Sequence, residues 1–322
     1  MANTHTIPRP RLIEVDESHS GQRLDNFLIG YFRGVPRSHI YRILRRGEVR
    51  INKGRRTPSY RLKPGDVVRI PPVRMTPSAP APALLSASHR RLRDHIVYQD
   101  DDVLVLNKPA GIAVHTGTGV AAGVIEALRE LCPQIPDLEL VHRLDRDTSG
   151  CLLLAKNRKS LIALQAAFRQ QDGAISKHYL ALVKGLPDKE RWEVTAALRK
   201  GAVRGDERMV VITPDGARAI TRFTCEKHYR DSTLVGVELL TGRTHQVRVH
   251  AAHVGHPVAG DSKYGDREFN TRLRPVGLNR LFLHASELTF PHPSRSVRQR
   301  VVAPLPDNLS AVLQRLEIET TE

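Results

Sequence analysis

The proline-rich segment between residues 71 and 88 is the feature that most constrains how this chain folds. It holds five prolines among small residues, and proline, which has no backbone N–H, interrupts helices and sheets. Such a composition behaves as a semi-rigid spacer. The 322 residues suffice for one large core and a small one. We therefore predict an N-terminal extension over 1–20, a small domain over 21–70, a linker over 71–90 and a large domain over 91–322.

The small domain is strongly basic. Between residues 33 and 69, twelve Lys or Arg stand against two acidic residues, a net charge of +10. The spacing of apolar residues predicts two short helices, followed by strands at 49–52 and 67–70. The whole chain has a formal net charge of +16. This charge favours a polyanionic partner, which on charge alone is RNA, DNA or an anionic membrane.

Two segments of this basic region carry a family resemblance: Gly-Gln-Arg-Leu-Asp at 21–25 and Gly-Glu-Val-Arg-Ile-Asn at 47–52. With them the region resembles an S4 RNA-binding domain of α/β type. The resemblance implies recognition of the RNA backbone, which gives affinity and register but little sequence information. The side chains that it marks for RNA contact are Arg23, Arg37, Arg42, Arg45, Arg46, Arg50 and Lys53.

The large domain alternates short β-type runs with helical patterns, which predicts an α+β class. The predicted strands are 103–106, 152–155, 179–183 and 234–240, and the predicted helices lie near 121–131, 158–170 and 244–254. No apolar run approaches the roughly 20 residues that a membrane span needs. The first sixteen residues lack the apolar core of a secretory signal, so we expect a cytoplasmic protein.

Within the large domain, Asp145 lies between Arg143 and Arg146, just before the apolar run 151–155. An opposite charge nearby favours the ionised form of a carboxylate. An anionic carboxylate suits a nucleophile or a base that acts on a sugar. The alternative is a structural ion pair in a tight turn.

Four segments of the large domain occur in a recognisable order: 107–111, 142–150, 177–185 and 242–250. In that order they resemble the landmark segments of the RluA-type pseudouridine synthases, which isomerise uridine in RNA. The resemblance covers nearly all of the chain from residue 95 onward. It implies a mixed or antiparallel sheet with a central cleft that holds the site.

The resemblance also assigns roles to individual residues. It implies that Asp145 is the catalytic residue, that Tyr179 stacks on the target base, and that Arg243 pairs with Asp145 in the cleft. Arg143, Arg146 and Lys108 are then expected to contact RNA. Taken without the family, Tyr179 is more typical of a core aromatic, and Arg243 of a surface residue at the start of a helix.

The implied reaction breaks the N1–C1′ bond of uridine and joins C5 to C1′. It imports no atoms and changes no oxidation state, so we expect no cofactor and no metal. Asp145 would either attack C1′ to form an acylal or remove the C2′ proton to give a glycal. The residues leave this choice open. Cys132, Cys151 and Cys225 show no Cys-x-x-Cys spacing, so we predict reduced packing residues rather than a zinc site.

Four further segments point to the branch of the family that acts on 23S ribosomal RNA: 34–38, 40–45, 264–269 and 279–285. We therefore expect several 23S uridines, in free RNA or in a large-subunit assembly intermediate, as targets, and no obligatory protein partner. Transfer RNA is the alternative substrate. A non-catalytic RNA-binding factor of ribosome assembly is the alternative function. An S4-bearing methyltransferase or aminoacyl-tRNA synthetase is disfavoured, because their signatures are missing.

Overall fold

The computed structural model describes residues 10–32, 35–72, 85–116, 122–170, 173–204 and 207–321. The chain divides into two compact units, and the division falls between Ala83 and Leu84. Among the described residues, no helix is both long and apolar enough to cross a membrane.

The N-terminal unit is a three-stranded antiparallel sheet packed against two helices. Its sheet order is β1-β3-β2. Ile40 in the second helix and Ile51 and Val68 in the sheet are fully buried and form part of its core. The elements are β1 (Arg11–Glu14), a 3-10 turn (Glu17–His19), α1 (Leu24–Tyr31), α2 (Arg37–Arg45), β2 (Arg50–Ile51) and β3 (Val67–Ile70).

Strand β1 lies in the stretch predicted as an N-terminal extension. It pairs along its whole length with β3, from Arg11 opposite Ile70 to Glu14 opposite Val67. Four residues before the predicted start of the small domain therefore belong to its sheet. The pairing partner lies more than fifty residues away, so no local pattern indicates it.

The C-terminal unit contains the remaining elements. Its strands are β4 (Ile96–Gln99), β5 (Val103–Lys108), β6 (Glu139–Leu140), β7 (Ser149–Ala155), β8 (Ser176–Lys184), β9 (Arg191–Thr195), β10 (Leu198–Arg204), β11 (Glu207–Ile212), β12 (Ile220–His228), β13 (Ser232–Leu239), β14 (Leu283–Pro291) and β15 (Arg298–Val302). Its helices are α3 (Ala87–Arg90), a 3-10 turn (Leu92–His95), α4 (Val124–Leu131), α5 (Arg158–Arg169), α6 (Gln246–His253), α7 (Arg267–Arg272) and α8 (Asp307–Thr321). Helix α3 falls inside the predicted linker, whose last residues thus belong to this unit.

Ten strands of the described residues form one large sheet, in the order β4-β5-β7-β14-β8-β13-β12-β9, with β6 on β7 and β15 on β14. All its pairings are antiparallel except that of β7 with β14. Strands β10 and β11 form a separate hairpin. The predicted α+β class with a mixed sheet is confirmed.

The parallel pairing of β7 with β14 fixes where the preceding loop begins and ends. Gly150 lies opposite Ala285. Its φ of 111° is a backbone conformation that residues with a side chain rarely adopt. A Cβ at Gly150 would collide with the carbonyl oxygen of Ala285. Every residue of β7 is buried, so the loop 142–148 rises from a rigid strand at the centre of the sheet.

Candidate active site

A large cleft of the C-terminal unit lies over the sheet, at the loop before β7 and the start of β8. It has a volume of about 870 Å³, within the size range of small-molecule pockets. Most of its lining comes from four segments: the loop 141–145, residues 175–179 at the start of β8, residues 238–244 at and after the end of β13, and residues 245–248 at the start of α6. Of the predicted site residues, Asp145, Tyr179, Arg143 and Arg243 lie in its lining.

Asp145 occupies the tip of the loop before β7. Its carbonyl oxygen accepts a hydrogen bond of 3.3 Å from the N–H of Thr148, which closes the turn. Its side chain is 19% exposed. Two cationic or polar groups face Oδ2 of this carboxylate, each at 3.9 Å: Nη1 of Arg248 and Nε2 of His245. The carboxylate thus lies in the cleft, open on one side to a ligand.

The predicted pairing of Asp145 with Arg243 is wrong. Arg243 is exposed, and its Nε donates a hydrogen bond of 3.2 Å to the carbonyl oxygen of Arg218. The reason is that α6 begins only at Gln246, so Arg243 lies outside the helix at the rim of the cleft. Arg248 lies in the first turn of α6, and its guanidinium faces the carboxylate of Asp145.

The two arginines that flank Asp145 in sequence also point elsewhere. Nε of Arg146 donates to Oδ1 of Asp147 at 3.2 Å. Arg143 is exposed at the cleft wall. Neither forms an ion pair with Asp145 within the described residues, so its immediate charge partner is Arg248.

Arg248 is held by a carboxylate of its own. Its Nε and Nη2 each donate a hydrogen bond of 2.7 Å to Asp261. Burial alone would lower the pKa of Arg248, but the hydrogen bonds to Asp261 and the charges of Asp261 and Asp145 raise it. The guanidinium is therefore a permanent, oriented cation beneath Asp145.

Lys108 does not take the RNA-contacting place that the resemblance predicts for it. The residue is fully buried, and its Nζ donates to the carbonyl oxygens of Pro109, Ile112 and Arg146 at 2.8, 3.0 and 3.0 Å. Burial lowers the pKa of Lys108 to about 7, yet only the ammonium form supplies three donors for three acceptors. Lys108 therefore fastens the Asp145 loop to the segment after β5.

A second buried network holds the other end of that loop. Nη2 of Arg280 donates to Oγ of Ser149 at 2.8 Å. Ser149 and Nδ1 of His284 are 2.9 Å apart, and Nε2 of His284 bonds the carbonyl oxygen of Ala303 at 3.0 Å. Since a carbonyl oxygen only accepts, His284 carries its proton on Nε2 and Ser149 donates to Nδ1.

His142 anchors the start of the loop. The backbone N–H of Leu153 donates to its Nε2 at 3.0 Å, and its ring stacks on Phe168 with centroids 4.9 Å apart. Burial, helped by the nearby charge of Lys177, lowers the pKa of His142 to about 4. The imidazole is thus neutral, and it fixes the first residue of the loop to β7.

Tyr179 lies on β8 opposite Val237 and is 9% exposed. Burial raises the pKa of its phenol, and the negative charge of Asp145 adds to the rise. The ring therefore shares the cleft with the carboxylate. A stacking role for Tyr179 remains a prediction.

Sequence reasoning missed five residues around Asp145. Arg248, Asp261, His245 and Tyr264 converge from α6 and the segment after it. Lys177 lines the cleft, where burial lowers its pKa to about 8. The only available signal was that residues 242–250 hold a second arginine, one that falls on the helix rather than before it.

Most of the predicted RNA-contacting residues of the N-terminal unit are exposed. This holds for Arg42 and Arg45 of α2, for Arg46 directly after it, and for Arg50 and Lys53. Arg23 is also exposed, but its Nε and Nη2 donate to the buried carboxylate of Asp25 at 3.1 and 2.7 Å, so its guanidinium already has a partner within the unit. The side chain of Arg37 lies outside the described residues.

Comparison with known proteins agrees with this arrangement. Residues 102–253 match the RNA pseudouridylate synthase family, and residues 22–68 match the S4 domain. The chain is 48% identical over 306 residues to ribosomal large subunit pseudouridine synthase C of Haemophilus ducreyi, with 95% of each chain covered. It is 48% identical over 314 residues to the protein of that name from Escherichia coli, covering 96% of this chain and 97% of the other.

A solved structure shows the same catalytic fold. Human RNA pseudouridylate synthase domain containing 4 superposes with a TM-score of 0.59 at 27% identity, covering 71% of this chain and 95% of the human chain. The relatives cover both units of the chain, and the solved structure shares the fold that places Asp145 in its cleft. The chain belongs to the RluA-type family of RNA pseudouridine synthases and carries an N-terminal S4 domain.

Proposed function

We propose that this protein isomerises uridines of large-subunit (23S) ribosomal RNA to pseudouridine, with Asp145 as the reacting carboxylate. The observation that carries the proposal is the placement of Asp145 in the cleft that Tyr179 also lines, 3.9 Å from the fixed cation of Arg248. The names of the relatives support ribosomal RNA as the substrate. We place the reaction in the cytoplasm, and it requires no protein partner.

The cleft suits a nucleotide that has left its helix. A base within a stack cannot present C1′ or C5 to a side chain, so the nucleotide must flip out, at a cost of a few kcal/mol. A ring face offsets part of that cost by stacking, and Tyr179 offers such a face. A volume of about 870 Å³ accommodates a nucleotide together with part of its neighbours.

The rim of the cleft suits the phosphates on either side of that nucleotide. Cationic side chains surround the opening, and phosphate contacts of this kind fix the register of RNA. Those that line the cleft are Arg143, Arg169, Arg218, Arg243 and Arg298. Arg143 thus keeps its predicted role in RNA binding, and we assign the same role to Arg243 in place of its predicted pairing with Asp145.

The reaction needs an anionic carboxylate beside the ribose. The guanidinium of Arg248 lies 3.9 Å from Oδ2 of Asp145 and offsets its negative charge. Asp145 then attacks C1′ to form an acylal or removes the C2′ proton to give a glycal. In both routes the N1–C1′ bond breaks and the base turns within the cleft. C5 then bonds C1′ as the bond from Asp145 to C1′ of the acylal breaks, or as the proton returns to C2′ of the glycal. The C5 proton is lost and N1 gains one.

Loss of the C5 hydrogen gives a direct test. RNA labelled with tritium at C5 of uridine releases one tritium for each pseudouridine formed. The wild-type protein should release tritium from a 23S transcript, and Asp145→Asn, which keeps the shape of the side chain, should not. Asp147→Asn is a matched control in the same loop, outside the cleft lining, and should keep most of the activity. Release by Asp145→Asn at a tenth of the wild-type rate would contradict the assignment.

The substrate is tested by mapping. Carbodiimide adducts of pseudouridine stop primer extension, so wild-type protein should create new stops in 23S RNA and none in transfer RNA. Stops in transfer RNA alone would keep the reaction and reject the ribosomal substrate. Salt-sensitive RNA binding without any stops would favour the non-catalytic assembly factor.

A further inference from the structure

Three contacts in a row connect the hairpin strand β11 to the carboxylate of Asp145. The backbone N–H of Val210 donates to Oη of Tyr264 at 2.8 Å. The same Oη lies 2.9 Å from Nδ1 of His245. Nε2 of His245 then faces Oδ2 of Asp145 at 3.9 Å. A segment outside the main sheet is thus linked to the reacting group through two side chains.

The first contact fixes one role in this row, and the other roles follow if Tyr264 donates to His245. A backbone N–H only donates, so the oxygen of Tyr264 accepts there, and its own proton is free to be donated to Nδ1 of His245. A neutral imidazole that accepts at Nδ1 carries its proton on Nε2. Burial lowers the pKa of His245, although the charge of Asp145 opposes the shift, so the neutral ring is favoured. The N–H of His245 therefore points at the carboxylate.

The surroundings keep His245 in this position. Its backbone is left-handed, with φ of 54° and ψ of 19°, a conformation that residues other than glycine adopt rarely and that is enriched at functional sites. Its ring meets the ring of Tyr264 edge-on, with centroids 5.6 Å apart. The guanidinium of Arg248 lies 5.2 Å from the centroid of the Tyr264 ring. Tyr264 thus contacts both groups that face Asp145.

We propose that Tyr264 and His245 are positioning residues that orient Asp145 for isomerisation. His245 and Arg248 both face Oδ2, so they hold one oxygen of the carboxylate and leave Oδ1 to react with the ribose. Distances of 3.9 Å are longer than hydrogen bonds, and such contacts commonly shorten when substrate fills the site. The expected change in reaction rate rests on the proposed function of Asp145. The expected proton positions do not.

The proton positions are tested by nitrogen NMR of the full-length protein labelled with ¹⁵N in its histidine rings. The resonances of His245, assigned by their disappearance in His245→Asn, should show an unprotonated Nδ1 and a protonated Nε2. In Tyr264→Phe the Nδ1 resonance should move downfield, because it loses a hydrogen bond. A proton on Nδ1 in the wild type would overturn the proposal. This readout holds whether or not the protein forms pseudouridine.

The kinetic consequence is tested by single-turnover tritium release. Tyr264→Phe keeps the ring and removes only the hydroxyl. Its rate constant should fall about 10-fold, as expected when a supporting hydrogen bond is removed, with the Kd for RNA unchanged. Tyr98→Phe is the control, because it removes a hydroxyl that donates a hydrogen bond of 2.7 Å to Asp100, outside the cleft. Tyr98→Phe should lower Tm and leave the rate constant unchanged. Equal rate constants for Tyr264→Phe and the wild type would overturn the proposal.

Two substitutions of His245 separate its two contacts. Gln places an N–H near the position of Nε2, so His245→Gln should keep more of the rate constant than His245→Asn, which reaches only the position of Nδ1. Because both residues act in one row, Tyr264→Phe combined with His245→Asn should be no slower than His245→Asn alone. Multiplied losses in the double variant would show independent roles and overturn the proposal. If the wild type itself releases no tritium, the proposed function fails while the NMR result still stands.

Discussion

Arg248 and Asp261 form two hydrogen bonds of 2.7 Å each at a place where their side chains are 4% and 0% exposed. The pair fixes the cation of the site, because Nη1, the third nitrogen of the same guanidinium, faces Asp145. Asp261 is itself fixed: its Oδ1 also accepts the backbone N–H groups of Lys263 and Tyr264, at 2.8 and 3.0 Å. The position of the Asp145 carboxylate therefore depends on a residue more than a hundred positions away.

Replacing Arg248 with Lys should abolish most of the activity while keeping the charge. Lys presents a point charge and cannot hold Asp261 with two parallel bonds while facing Asp145. We expect the single-turnover rate constant to fall about 100-fold, and the free energy of unfolding to fall by about 3 kcal/mol because Asp261 loses its partner. Tritium release and urea unfolding measure the two effects.

The control for that experiment is Arg222→Lys. Arg222 also meets a carboxylate, with Nε 2.9 Å from Glu193, but both side chains are about half exposed. Exposed pairs contribute about 0.2 to 1 kcal/mol, so this variant should match the wild type in both measurements. If Arg248→Lys behaved like Arg222→Lys, the charge alone would matter and the two-bond geometry would not.

Lys108→Met should damage the site without weakening RNA binding. The substitution removes the ammonium donor from three carbonyl oxygens, although the oxygen of Arg146 keeps its bond from the N–H of Gly111. It therefore loosens the loop that carries Asp145. We expect a decrease of about 3 kcal/mol in the free energy of unfolding and a lower rate constant, with the Kd for RNA unchanged. Lys184→Met, which removes a half-exposed partner of Asp266, should lower stability by under about 1 kcal/mol. A larger Kd for RNA in Lys108→Met would show that Lys108 has the RNA-binding role that the resemblance predicts for it.

Local patterns predicted those elements whose signals are local. Helix α5, predicted over 158–170, spans Arg158–Arg169, because Asn157 caps it through the N–H of Ser160 and its apolar residues face the sheet. Helix α6 begins two residues later than its pattern predicts. There the left-handed backbone of His245 delays the helix, and its ring contacts Tyr264, nineteen positions further along the chain, so no local pattern indicates the delay.

Residue roles that depend on distant contacts were not predictable from the sequence. The choice between Arg243 and Arg248 depends on where α6 begins and on Asp261 beyond it. The burial of Lys108 depends on the carbonyl oxygen of Arg146, which is 38 positions away. An isolated lysine is expected at the surface, and only the converging carbonyl groups reverse that expectation. The position of Asp145 in the cleft needed the resemblance to a family as well as its charged neighbours.

His142 should make the stability of the protein depend on pH. Its pKa in the folded protein is about 4, against 6.5 for the unfolded chain, so the unfolded state binds a proton first as the pH falls. The stability that this group contributes is complete above pH 6.5 and is lost progressively down to pH 4, by up to about 3 kcal/mol. His142→Gln keeps an acceptor for the N–H of Leu153 but does not titrate.

Urea unfolding at a series of pH values measures this effect. The difference in the free energy of unfolding between pH 7 and pH 4.5 should be smaller for His142→Gln than for the wild type. His39→Gln, in the N-terminal unit, is the control and should follow the wild-type curve. Parallel curves for the wild type and His142→Gln would show that the buried imidazole takes up its proton as readily as one in the unfolded chain.

The basic face of α2 should set the affinity for RNA and its dependence on salt, but not the chemistry. Arg42, Arg45 and Arg46 are all exposed, and each RNA phosphate that a cationic side chain neutralises adds about 0.7 to 0.9 to the slope of log K against log salt concentration. Replacing all three with Gln should therefore weaken binding and flatten the slope by about 2. Replacing all three with Lys keeps the charges and should leave the slope unchanged. The rate constant at saturating RNA should match the wild type in both triple variants, because Asp145 and its partners are untouched. An unchanged Kd and slope in the Gln variant would show that this face does not bind the RNA.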